Sequence, residues 1–375
     1  MENIQMVDLN GQYIKIKKEI DAAIQEVIDQ SAFINGPQVK QFSSALEEYL
    51  DVKHVIPCAN GTDALQIAMM ALDLQPGDEV ITTSYTYVAT CEVIALLKLT
   101  PVFIEINPNT FTMDPQAIEK VITSKTKAIV PVHLYGQCAD MEEILAIAKK
   151  HHLYVIEDTA QAIGAQYTFS DGSKRAAGCM GDIGTTSFFP SKNLGCYGDG
   201  GAILTNDDEL AEQLRMVANH GQKVRYYHDI VGVNSRLDTI QAAILNCKLP
   251  HLDEYSAARR TVADRYDQAF DNHPNLKTPT RNPKSTHVFH QYTLTGCNFR
   301  REDLQEHLKS KGIPTMIYYP LPVHLQKGYS MSKFEPGSLA ITEMLCNNVF
   351  SLPIHTEMSQ ETQDYIIQHV LDFFN

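Results

Sequence analysis

Between Lys53 and Asn206, short runs rich in β-branched residues alternate with stretches whose apolar side chains recur every three or four positions. This alternation limits the possible folds more than any other feature of the chain. A strand buried on both faces reads as a continuous apolar run, and an amphipathic helix that follows it must cover one of those faces. The pattern therefore predicts an α/β fold with a large, mainly parallel seven-stranded sheet. Strands are predicted at residues 54–57, 79–83, 102–106, 128–132, 154–157, 185–188 and 202–205, and helices at 62–72, 86–97, 141–151 and 208–218. Further on, a helical pattern at 235–249 continues through 252–272 with Pro250 between, and a proline there interrupts or bends a helix. The expected division follows: a large domain over 1–250, with two N-terminal helical patterns at 14–29 and 38–49, and a smaller α/β domain over 251–375. In the latter, a strand is predicted at 287–295, a helix at 301–311 closed by Gly312, and an extended stretch at 313–319.

Charge and composition exclude several classes. A formal net charge of −14 argues against nucleic acid and anionic membrane as partners. Apolar stretches such as 93–97 fall far short of the ~20 residues needed to span a bilayer. The first ten residues lack a basic segment followed by an apolar run, so no secretory signal is read and the expected location is cytoplasmic. The eight cysteines are dispersed and form no Cys-x-x-Cys, which argues against both a disulfide framework and a zinc site. His151-His152 sits at a predicted helix end, where positive charge complements the exposed carbonyls, so no metal is expected there.

Three short segments carry chemistry. In Asn60-Gly61-Thr62-Asp63, a strand ends in a small-residue turn and a helix begins. Such a turn presents backbone N–H groups and the positive end of the helix dipole to an anion, although Thr62 or Asp63 serves equally as a simple helix cap. In Val155-Ile156-Glu157-Asp158, a carboxylate stands at the carboxyl end of an apolar strand, where ligands collect in wound sheets. Asp158 there either meets a cationic partner, such as a protonated heterocyclic nitrogen, or caps the next helix. In Phe188-Phe189-Pro190-Ser191-Lys192-Asn193-Leu194-Gly195, a lysine lies between aromatics and a glycine-rich turn, a setting that desolvates an amine and keeps it nucleophilic. The glycines after it lead into a strand rather than a helix, so they form no dinucleotide fingerprint. An anion cradle, a strand-end acid and a desolvated lysine are together what pyridoxal 5′-phosphate (PLP) demands: a phosphate site, an acid for the ring nitrogen and an amine for a Schiff base.

With these segments in place, the chain resembles the sugar aminotransferases of the DegT/DnrJ/StrS family, within the fold type I PLP enzymes. The likeness runs from Phe33-Ile34-Asn35-Gly36-Pro37 to Leu352-Pro353-Ile354-His355. It implies an aspartate-aminotransferase-like fold and a role for each matched residue. Lys192 would bind the cofactor covalently and move the proton, and Asp158 would hold the ring nitrogen protonated. Gln161 would face the ring hydroxyl and Tyr87 stack on the ring, while Gly61, Thr62 and Ser187 would bind the phosphate. Asn234 would reach the phosphate of a neighbouring subunit, so the active unit would be a homodimer with shared sites.

The resemblance further implies glutamate as amino donor and a nucleotide-linked keto sugar as acceptor. Leu134-Tyr135-Gly136-Gln137-Cys138-Ala139-Asp140 and Gly195-Cys196-Tyr197-Gly198-Asp199-Gly200-Gly201 look most like enzymes acting on UDP-linked 3-keto-N-acetylhexuronates, which serve surface polysaccharide synthesis, including lipopolysaccharide O-antigen. On that reading Arg236 would contact the sugar carboxylate, with Tyr318, Tyr319 and His324 also at the sugar. In Ile317-Tyr318-Tyr319-Pro320, however, the chain carries Tyr318 where the uronate group tends to carry His. A dTDP- or UDP-linked keto-deoxyhexose without a carboxylate is the alternative substrate. A sugar-nucleotide sensor that keeps the fold without transamination is the alternative from another class, and the intact Lys192 argues against it. Lys192 also argues against the related dehydratases, which carry histidine there.

Overall fold

A computed structural model describes residues 4–332 and 334–375. The large sheet has strands β1 (His54–Cys58), β2 (Glu79–Thr83), β3 (Thr100–Ile104), β4 (Thr126–Ile129), β5 (Tyr154–Asp158), β6 (Ile183–Ser187) and β7 (Gly201–Thr205), in the order β1-β7-β6-β5-β4-β2-β3. Six strands run in one direction and β7 runs against them, paired antiparallel to both β1 and β6. Side chains of the central strands are buried on both faces, as with Val155, Ile156, Ile183 and Ile203. Helices cover the faces. Leu65, Ala68 and Met69 of Gly61–Ala71 pack with Leu214 and Val217 of Asp208–Ala218 on one side. Ile144 and Ala148 of Met141–His151 pack with Ile81, Ile129 and Val155 on the other. All seven expected strands of this sheet exist, their ends shifted by up to three residues, where strand ends are decided by the last ladder bond rather than by side-chain pattern.

Elsewhere the chain departs from periodicity in instructive ways. The expected helix at 86–97 begins only at Ala89, so Thr86, Tyr87 and Val88 belong to the loop after β2. The pattern at 235–249 becomes helical at Thr239, whose amide bonds the Phe33 carbonyl and whose hydroxyl accepts from Gly36 N–H, and a 3₁₀ turn at Leu249–His251 absorbs Pro250 before Leu252–Phe270. The expected strand at 287–295 shortens to β9 (Tyr292–Gly296). It lies between β8 (Leu276–Lys277) and β10 (Val349–Leu352) in a small antiparallel sheet. Residues 287–291 are instead drawn across to the large sheet: Val288 N–H donates to the Gly136 carbonyl, and Asn193 Nδ2 donates to the Val288 carbonyl. The stretch at 313–319 forms no strand beyond one bridge between Met316 and Ser351.

Tyr266 and Phe270 join Leu294, Leu304, Phe350 and Ile366 in a second apolar core, distinct from those under the large sheet. We propose Pro250 as the divide between the two units. Among the described residues, no helix is long and apolar enough to cross a membrane.

Candidate active site

A cavity of about 700 Å³ opens at the carboxyl ends of the parallel strands, where sheet geometry gathers loops into one crevice. It is lined by Gly61, Thr62, Tyr87, Asp158, Gln161, Ser187, Lys192, Tyr318 and Tyr319, residues spread over more than 250 positions of the chain.

The helix Gly61–Ala71 points its N-terminus at the cavity. Asn60 caps it by accepting the Asp63 N–H at 2.8 Å, which leaves the first helical amides at the cavity wall. Gly61 is required by contact, since a Cβ there would stand 2.8 Å from the Cβ of Ser187 at the end of β6. Beside them, Thr186 also lines the cavity, and its buried hydroxyl has no hydrogen-bond partner among the described residues.

Asp158 ends β5 and is 6% exposed. Its Oδ2 accepts from the Thr90 hydroxyl at 2.7 Å and its Oδ1 from Ala160 N–H at 3.2 Å, so the carboxylate is held in one orientation. Gln161 is equally fixed: Oε1 accepts from Tyr135 N–H at 2.8 Å, and Nε2 donates to the Tyr319 hydroxyl at 2.9 Å. Burial pushes the Tyr319 phenol well above its usual range, so it stays protonated.

Lys192 sits on the loop after β6, with its own amide bonded to the Phe189 carbonyl at 2.8 Å. Burial lowers its pKa from 10.5 to about 8, and the negative charge of Asp158 opposes part of that shift. An amine so placed is neutral in a useful fraction near neutral pH and is a competent nucleophile and base. His290 enters the same cavity from the small-sheet side, and its pKa falls well below the usual value, first through burial and then through the positive Lys192 and Arg259.

Three expected site residues lie elsewhere. Asn234 is exposed, in a bridge with Asn219. Arg236 lines a separate hollow of about 610 Å³ with Lys40 and Arg215. His324 does not line the cavity within this chain: it is 2% exposed and bonded to Ser84 and Glu343, since the segment bearing it folds back onto β2. Sequence reasoning also missed Thr90, Thr186, His290 and Gln291. Thr90 lies in the first turn of the Ala89–Leu96 helix, and no local pattern marks it as a partner of Asp158. Nothing local marks His290, because its approach depends on the crossing of 287–291.

A wound sheet with an acid at one strand end and a buried lysine on the loop after the neighbouring strand suits an α/β enzyme that works through a nucleophilic amine. A family model, the DegT/DnrJ/EryC1/StrS aminotransferase family, matches residues 14–371. The chain belongs to that family. It is 48% identical over 94% of its length to 95% of a Pseudomonas aeruginosa protein, UDP-2-acetamido-2-deoxy-3-oxo-D-glucuronate aminotransferase. It is 47% identical over 99% of its length to 99% of a Geobacillus stearothermophilus protein named a pleiotropic regulatory protein. Among solved structures, ntda from Bacillus subtilis with bound cofactor PMP superposes with a TM-score of 0.88 at 34% identity, covering 96% of this chain and 82% of that one.

Proposed function

We propose that the protein is a PLP-dependent aminotransferase that carries an amino group from glutamate to the keto group of a nucleotide-linked sugar. The observation that carries this reading is the meeting of Lys192 and Asp158 in one cavity with a capped helix start beside them. The residues present fit the cofactor. The helix amides at Gly61 and Thr62, with Ser187 beside them, offer an anion the positive end of a helix, and a Cβ at Gly61 would crowd Ser187 at this point. When bound, PLP supplies an electron-accepting ring that stabilises a carbanion beside the transferred nitrogen.

The protein's own groups do the rest. Asp158, oriented by Thr90 and Ala160, offers a carboxylate oxygen to a protonated ring nitrogen. Gln161 faces the cavity from a position locked by Tyr135 and Tyr319, and Tyr87, 58% exposed toward the opening, offers its ring as a stacking wall. Lys192 Nζ, its pKa lowered by burial to about 8, is placed to give up and recover a proton near neutral pH. Asn234 and Arg236 lie outside this chain's cavity, which supports the reading that they serve the site of a second copy in a homodimer.

Within the substrate class, we favour carbon three of a UDP-N-acetyl-3-keto-hexuronate, in surface polysaccharide synthesis in the cytoplasm. The 48% identity to the Pseudomonas aeruginosa enzyme supports it. Arg236 of a second copy would then meet the sugar carboxylate as a planar fork. A keto-6-deoxyhexose nucleotide is the alternative that Tyr318 leaves standing. The regulatory name of the Geobacillus stearothermophilus relative is the observation behind a sensor reading. Purified protein supplied with PLP decides between them. An enzyme is yellow, loses its absorbance band with glutamate and regains it with a keto sugar nucleotide, whereas a colourless protein that binds sugar nucleotide is a sensor.

A further inference from the structure

Three side chains form a buried relay that the chemistry above does not use. Ser84, just beyond β2, is fully buried and His324 nearly so. His324 Nδ1 lies 2.7 Å from Ser84 Oγ, and its Nε2 lies 3.3 Å from Glu343 Oε1. The Glu343 carboxylate only accepts, and it also takes the amides of Gly337 and Leu339. Nε2 therefore carries the proton, Nδ1 offers its lone pair, and the Ser84 hydroxyl donates. In return Ser84 Oγ accepts from His324 N–H at 2.9 Å, and the Ser84 carbonyl accepts from Val323 N–H at 3.0 Å. Phe103 and Phe334 flank the imidazole, with ring centroids 6.4 Å and 6.0 Å away. In such apolar surroundings a made bond is strengthened and an unmade one is costly.

The relay fastens a segment that has little else to hold it. Between the bridge at Met316 and the short turn Val323–Leu325 the chain has no strand or helix, yet Tyr318 and Tyr319 on this stretch wall the cavity. Its other ties are side-chain bonds, from Tyr85 and Tyr135 to the Tyr318 carbonyl and from Gln161 to Tyr319. At its far end the relay reaches the helix Ala340–Asn348, whose first amides at Ile341 and Thr342 are held by Glu105 beyond β3. His324 thus joins a strand end to a helix that is itself tied to the sheet.

Resting on the sugar-nucleotide reading above, we propose that His324, with Ser84 and Glu343, is a positioning residue for the sugar half of the reaction: it fixes the Tyr318–Tyr319 wall on the end of β2 without touching substrate. The test uses full-length, PLP-loaded enzyme carrying His324→Gln, His324→Asn or Glu343→Gln. Each is measured in two separate half-reactions, one with glutamate and one with the keto sugar nucleotide that the wild type accepts. Gln reaches as far as Nε2 and forfeits the Ser84 contact, so His324→Gln raises KM for the sugar nucleotide roughly 5- to 30-fold. Asn reaches only as far as Nδ1 and keeps Ser84, so its rise is smaller. In both variants KM for glutamate rises less than KM for the sugar nucleotide, and the cofactor absorbance band is kept. Glu343→Gln, at the relay's most exposed end, keeps an acceptor and should fold even if the His324 variants do not; it gives a smaller rise confined to the sugar. Equal losses in both half-reactions, or unchanged KM in every variant that folds, overturn the proposal. A wild-type protein that reacts with glutamate but with no sugar nucleotide overturns the functional reading beneath it.

Discussion

Lys192 should make the cofactor-free protein less stable than it would be with an apolar side chain there, and the penalty should depend on pH in a defined direction. Its pKa is about 8 in the fold against 10.5 as the ordinary value. The charged form is therefore disfavoured by folding, and the unfolded chain binds more protons between those two values, so this residue's contribution to stability rises with pH across that window. Linkage puts the cost at about 3 kcal/mol near neutral pH, falling to about 1 kcal/mol one pH unit below the unfolded value. Solvent reaching the cavity screens part of it, so an observed difference of ~1–2 kcal/mol is expected. Lys192→Met keeps the length of the side chain and removes the charge. The assay is urea unfolding of cofactor-stripped wild type and variant at equal protomer concentration, at neutral pH and again near pH 9.5. The variant should lack transaminase turnover, be more stable at neutral pH, and converge toward the wild type as pH rises. A variant that is no more stable at neutral pH, or a difference that does not shrink with pH, would refute the claim that burial depresses this amine.

Other outcomes follow from contacts at the same cavity. Gly61→Ala drives a methyl group against Ser187 and should cost ~1–3 kcal/mol in cofactor affinity, read as a 5- to 100-fold weaker Kd by spectroscopic titration. Thr90→Val preserves shape but removes the 2.7 Å bond to Asp158. It should lower kcat and also lower unfolding stability by ~1–3 kcal/mol, since it leaves a buried carboxylate short of one donor. Arg236→Ala should lower activity on a uronate far more than on its 6-deoxy counterpart, and equal losses on both would remove the carboxylate role.

Helix caps and strand ends account for what was legible in advance. Asn60, Asp158 and Lys192 each stand next to a regular element, so their placement depends on a few neighbouring residues and shows up as motif. Tyr87 was less legible: the apolar run Val88–Leu97 resembles a helix beginning early, and only the packing of the loop against β2 and residues 318–325 delays the first helical turn to Ala89. His324 shows the limit most clearly. Its position in the chain suggested the sugar, yet Ser84 lies 240 positions away and Glu343 on a helix beyond an irregular stretch, so no periodicity foretells that the three form one relay.

The order of strands and helices along the chain, the mainly parallel sheet and the standing of Asn60, Asp158 and Lys192 beside regular elements were legible in short-range pattern, because each depends on burial of one face or satisfaction of one terminus. Tertiary structure alone decided the shortening of the 287–295 strand, the entry of His290 into the cavity, and the burial of His324 on Ser84 and Glu343 outside it. Those outcomes turn on which distant segments compete for the same hydrogen-bond donors and apolar surface, and that competition is settled only when the chain closes on itself.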